Sequence, residues 1–127
     1  MGTENDQIWP DAAIPFRRST GPLRPGVTTE KHGFINATLC EHSNNERIVW
    51  SADLPFLKGT HGFYLSSRSV GETTVRHVLS ARLVWWFIPV WYFRVGRIHD
   101  RIIEGIFDRL ENAVAACEAQ ESQGPKR

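Results

Sequence analysis

The sequence predicts an α+β fold: a curved antiparallel β-meander gripping one long C-terminal α-helix. Three observations carry this. Apolar residues alternate with period two between about residues 33 and 83. From about Val95 to Ala119 they recur instead at intervals of three and four, with no proline. Turn-forming residues separate the alternating runs. The chain has 127 residues, 41% hydrophobic and 23% charged, which is globular composition and enough for one domain.

Residues 1–27 carry Pro10, Pro15, Pro22 and Pro25 and read as an irregular arm. The folded domain is expected over 28–119, with 120–127 as a disordered tail. In 33–41, Ile35, Ala37 and Leu39 share one parity. Ser43-Asn44-Asn45-Glu46 is a turn by composition. In 47–54 the apolar set is Ile48, Trp50, Ala52 and Leu54, and Pro55 to Lys58 reads as a loop. In 59–67 the set is His61, Phe63 and Leu65; Ser69 to Glu72 is the next turn. In 73–83 it is Val75, His77, Leu79, Ala81 and Leu83.

Register can be tested, because a slip of one residue turns every side chain to the other face. Pairing 42 with 47, 54 with 59 and 65 with 75 puts Leu39 opposite Trp50, Trp50 opposite Phe63, and Phe63 opposite His77. All four strands then agree on one apolar face and one wet face. On the helix, Ile102, Ile103, Ile106, Phe107, Leu110, Ala113, Val114 and Cys117 form one stripe. The sheet's apolar face is what that stripe is expected to cover.

Fifteen Lys+Arg against fourteen Asp+Glu leave a net charge of +1, so there is no electrostatic case for nucleic acid. Cys40 and Cys117 read as reduced thiols, and Cys40, with outer-face parity and no basic neighbour in sequence, as inert. The N-terminus has no signal-peptide pattern. The apolar run Leu83 to Phe93 is eleven residues with Pro89 inside it, where a spanning helix needs roughly 20. No transmembrane segment and a cytoplasmic location are therefore expected. The run is unusual in holding Trp85, Trp86 and Trp91 beside Phe87, Tyr92 and Phe93.

The same parity puts His61 and His77 on the inner face, and the helical projection puts His99 on the apolar stripe. A buried imidazole without a partner costs about 1–3 kcal/mol. Three of them point either to a hydrogen-bonded core or to a cavity holding water or ligand. Their spacings of 16 and 22 residues contain no metal-binding motif, so neither metal nor cofactor is expected. His32 and His42 read as surface residues, and Asp100 and Glu104 project to the wet face, away from His99.

These pieces resemble a known family. Gly21-Pro-Leu-Arg-Pro-Gly26, Glu46-Arg-Ile-Val-Trp50, Gly59-Thr-His61, Gly71-Glu-Thr-Thr-Val-Arg-His-Val-Leu79, Leu83-Val-Trp-Trp86 and His99-Asp-Arg-Ile-Ile-Glu104, leading to Asp108-Arg-Leu-Glu111, carry the likeness. Over about residues 20–119 the chain resembles the START-related (SRPBCC) helix-grip superfamily, and most closely its polyketide cyclase/dehydrase-like branch. Such folds open with a full strand and two short helices, which here are short or missing. That implies an open strand edge, which a second copy in a homodimer or residues 3–20 could cover.

The resemblance implies binding of a small hydrophobic ligand, lipid-like or aromatic and polyketide-like, in a cavity between sheet and helix. The expected lining is Trp50, His61, Phe63, Leu65, His77, Leu79, His99, Ile103 and Ile106. One alternative is cyclase/dehydrase-type acid–base chemistry by His61, His77 or His99. The other is docking on a protein or membrane through the Trp85–Phe93 patch. In either cavity reading that patch borders the pocket mouth.

Overall fold

The structure, a computed structural model, describes Trp9 and residues 16–122. The fold is α+β. One antiparallel sheet is built in chain order from β1 (Phe16–Arg18), β2 (Thr29–His32), β3 (Ile35–Ser43), β4 (Arg47–Leu54), β5 (Leu57–Ser69) and β6 (Glu72–Leu83). A helical junction follows: a 3-10 turn (Trp85–Phe87), one α turn (Ile88–Val90) and a π-helical stretch (Trp91–Val95). The long helix then runs from Gly96 to Ser122.

Turn residues explain the hairpins. Gly33 (φ 61°) and Gly71 (φ 81°) provide the positive φ in the two-residue β2–β3 and β5–β6 turns. Asn45 (φ 62°) does so in the three-residue turn between β3 and β4. Leu39 faces Trp50, and Phe63 faces His77, as expected. The β4–β5 turn is tighter than expected. Leu54 pairs with Leu57, so Trp50 faces His61 rather than Phe63. Pro55 suits the second position of a tight turn, and the tighter turn carries Leu57 into the core at 5% exposure. Because the shift is two residues, the inner face is unchanged.

Phe16–Arg18 pairs with β2, so the proline-rich arm contains a short strand. The segment before β2 is pinned to β3: Gly26 N–H donates to the Leu39 carbonyl, and Leu39 N–H donates to the Thr28 carbonyl. This fixes the parity of β2, with Glu30 opposite Ala37 and His32 opposite Ile35.

The core lies between the middle strands and the junction. Ala37, Leu39, Trp50, Ala52, Leu57 and Phe87 are buried together, with Trp91 and Val95 packed against them. The long helix buries Ile102 and Ile106. From Glu111 onward its residues are exposed. Ala113, Val114 and Cys117, expected on the covered stripe, are therefore not covered. The reason is length: 27 residues make about 40 Å of helix, whereas six strands span roughly 24 Å. Among the described residues, no helix is long and apolar enough to cross a membrane.

Candidate functional site

Curvature brings together the inner faces of strands that are not neighbours. Glu30 and His32 on β2, His61 on β5, His77 on β6 and His99 on the long helix form one row under that helix. Ring centroids are 5.6 Å apart for His32–His61, 6.0 Å for His61–His77 and 5.2 Å for His77–His99. Trp91 flanks His99 at 6.0 Å, and Phe63 flanks His77 at 4.9 Å.

Beside His61 the sheet carries a rank of small residues. Ala52 pairs with Gly59, and Gly59 with Ala81. A side chain at Gly59 would run into the Ser80 carbonyl and Ala81 of β6, so only glycine lets the strands approach there. The space above this rank is a cavity of about 40 Å³, bordered by His32, His61, Leu79, Ala81, Trp91 and His99 among others. Leu79 is still 38% exposed, so the cavity is not sealed. A larger hollow of about 750 Å³ lies against the polar outer-face side chains Arg17, Lys31, Asn36 and Asp53. Of the row, Glu30 borders it and the four imidazoles do not.

The row is rich in polar atoms that lack hydrogen-bonding partners. Glu30 is 5% exposed. Its Oε1 lies 3.1 Å from His61 Nε2 and 3.7 Å from His32 Nδ1. Neither contact is aligned as a hydrogen bond. Among the described residues, Glu30 Oε1, His32 Nδ1, His61 Nε2, His77 Nε2 and His99 Nε2 are all buried without a hydrogen-bonding partner. Folded proteins leave few such atoms, and each costs about 1–3 kcal/mol.

Burial sets the protonation of the row. It pushes His77 down from 6.5 to about 4, helped by the neighbouring His99 and His61. It pushes His32 down as well, against the attraction of Glu30. His99 is also lowered by burial, and its contact with Asp100 opposes the shift. These three rings are thus held neutral near pH 7. A neutral ring with a free nitrogen can accept a proton, accept a hydrogen bond or ligate a metal.

Two expectations need correction. His32 is not a surface residue. Its side chain is 17% exposed and faces inward, because β2 begins before the alternation that was visible from residue 33. Asp100 does reach His99: Oδ1 lies 3.3 Å from Nδ1. Asp100 stays on the wet side at 78% exposure, but its side chain folds back along the helix to its neighbour.

Of the expected lining residues, His61, Leu79 and His99 border the cavity. His77 stands beside it in the row. Trp50 and Ile106 are buried, Phe63 and Ile103 half-buried, and Leu65 is 39% exposed. Sequence reasoning missed Glu30 and His32. Their signal is the spacing Glu30-Lys31-His32, which on a strand sends both side chains to one face. The aromatic run divides: Phe87 is buried and Trp91 borders the cavity, but Trp85, Trp86, Tyr92 and Phe93 are 53–82% exposed.

The chain matches no protein-family model, no curated protein and no solved structure.

Proposed function

We propose that this chain is a ligand-binding module of the helix-grip type, related to the START-like superfamily. The observation that supports it is the convergence of unpartnered, buried imidazole nitrogens on a cavity between sheet and helix. A drug-sized ligand needs a pocket of about 300 Å³ or more, and the cavity here is about 40 Å³. The ligand's polar end therefore enters alone. Its apolar body rests on the open part of the inner face, where Leu65 and Leu79 are 39% and 38% exposed. This favours a compact aromatic molecule with a hydroxyl group over a long acyl chain. The hydroxyl donates to a neutral imidazole, and the ring covers Leu79, which pairs with His61.

Titration of chelator-treated protein with 1-naphthol, followed by tryptophan fluorescence, tests this. Saturable binding at one site is expected, weakened about tenfold by His99→Ala, whose free Nε2 belongs to a ring that borders the cavity, through loss of one buried hydrogen bond. A linear, unsaturable response would remove the reading.

A second reading rests on a separate observation. Trp85 (82% exposed), Trp86 (53%), Tyr92 (72%) and Phe93 (62%) are exposed rings within one short junction, with Arg82, Arg94 and Arg97 near them in sequence. Amphipathic rings beside basic residues suit the interface of an anionic bilayer. Cosedimentation with phosphatidylserine-containing vesicles is expected to fall sharply for Trp85→Ser/Trp86→Ser. Equal partition of variant and wild type would end this reading.

A further inference from the structure

The Glu30 end of the row has a feature that an organic ligand does not explain: a buried carboxylate meeting two imidazoles with no hydrogen bond among them. We propose that Glu30, His32 and His61 form a binding site for a divalent transition-metal ion of the zinc class. The three donor atoms, Glu30 Oε1, His32 Nδ1 and His61 Nε2, all lie within 4.8 Å of one another. Two of the separations are 3.1 and 3.7 Å. They bracket the edge of about 3.3 Å expected for a tetrahedron with metal–ligand distances of about 2.0–2.1 Å. An ion at their centre would satisfy three of the five orphan atoms at once.

The donor set also selects the ion. Two imidazole nitrogens and one carboxylate, with no thiolate, suit Zn²⁺, Co²⁺, Ni²⁺ or Cu²⁺. Ca²⁺ and Mg²⁺ prefer six or more oxygens and are excluded. The charge is consistent: one carboxylate, itself 5% exposed, lies against the ion and is no longer buried without compensation. His32 and His61 both border the cavity, so a fourth position is open to water or a small ligand. Three protein ligands with an open fourth position characterise reactive rather than structural zinc sites.

His77 and His99 supply the internal control, because they continue the row away from Glu30. The proposal goes beyond the ligand reading and does not depend on it. The naphthol titration uses chelator-treated protein, so either can fail alone.

Tag-free protein, dialysed against chelator, is titrated with Co²⁺ and followed by visible d–d absorption and thermal melting. One saturable equivalent with the spectrum of a low-coordinate site is expected, together with a rise in Tm. His32→Ala and Glu30→Gln are each expected to weaken binding by about 100-fold or more, beyond what loss of an outer supporting contact costs. His77→Ala is expected to change it by less than about threefold, as a residue outside the ligand set. Equal uptake by His32→Ala/His61→Ala would overturn the proposal, as would an absence of saturation or an equal loss in His77→Ala. If circular dichroism shows that the ligand variants do not fold, the melting data decide. A Co²⁺-dependent rise in Tm shared by wild type and His77→Ala supports the site, and its absence refutes it.

Discussion

The two ends of the imidazole row are built from similar rings but meet different carboxylates. At the β2 end, Glu30 is 5% exposed and lies against His32 and His61. At the helix end, Asp100 is 78% exposed and touches only the outer nitrogen of His99. A buried carboxylate fixes charge where the dielectric is low, so it can hold a cation. An exposed one orients a ring and is screened by solvent. The chemistry of each end is thus set less by the histidines than by the burial of the acid beside them.

The largest contrast is in metal affinity. A loss of about 100-fold for His32→Ala against less than about threefold for His77→Ala would place the cation wholly at the β2 end. Similar losses at both positions would show one shared site and erase the distinction between the ends.

The second contrast is in pH dependence. His77 titrates at about 4 in the folded protein against 6.5 when exposed. Between these values the unfolded chain binds more protons, so stability is full above about pH 6.5 and falls as pH drops toward 4. Facing His77 are Phe63 on β5, His61 on the same strand, and His99 and Asp100 on the helix. The half-buried position calls for a discount, leaving an effect on the order of 1–2 kcal/mol. In metal-free melts, His77→Phe is expected to flatten the loss of Tm over this window, leaving the smaller slope from His32 and His99. An unchanged slope would mean that His77 is not held neutral by its surroundings.

How much of this was legible from residues differs between the same two ends. His61 and His77 sit in long alternating strands, where parity alone sends them inward. His99 sits on a periodic helix. Those three could be read without a structure. Glu30 and His32 could not be reached that way, because β2 has four residues and follows a proline-rich segment. A run so short carries too little alternation to declare its phase. Its parity is set instead by distant backbone bonds from Gly26 and Leu39. The proximity of His32 to His61 is less visible still, since two strands lie between theirs and only the curvature of the sheet closes the gap. The β4–β5 register shows a milder form of the limit: Pro55 marked a turn, but its length depended on Leu57 finding the core.

The smallest expected effect isolates the exposed acid. Asp100→Asn keeps a carbonyl oxygen able to accept from His99 Nδ1 and removes only the charge. Without that charge the folded ring is harder to protonate, so the pKa of His99, already lowered by burial, is expected to fall further. The effect on stability should stay within about 0.5 kcal/mol, because the pair is solvent-screened. Histidine NMR titrations read the ring directly, and added salt should shrink the difference between variant and wild type. A downward shift that survives high salt would show that Asp100 acts from a less screened position than its exposure implies. No shift at any ionic strength would show that the 3.3 Å contact orients the ring without governing its charge. That result would leave Glu30 as the carboxylate that sets the electrostatics of the row.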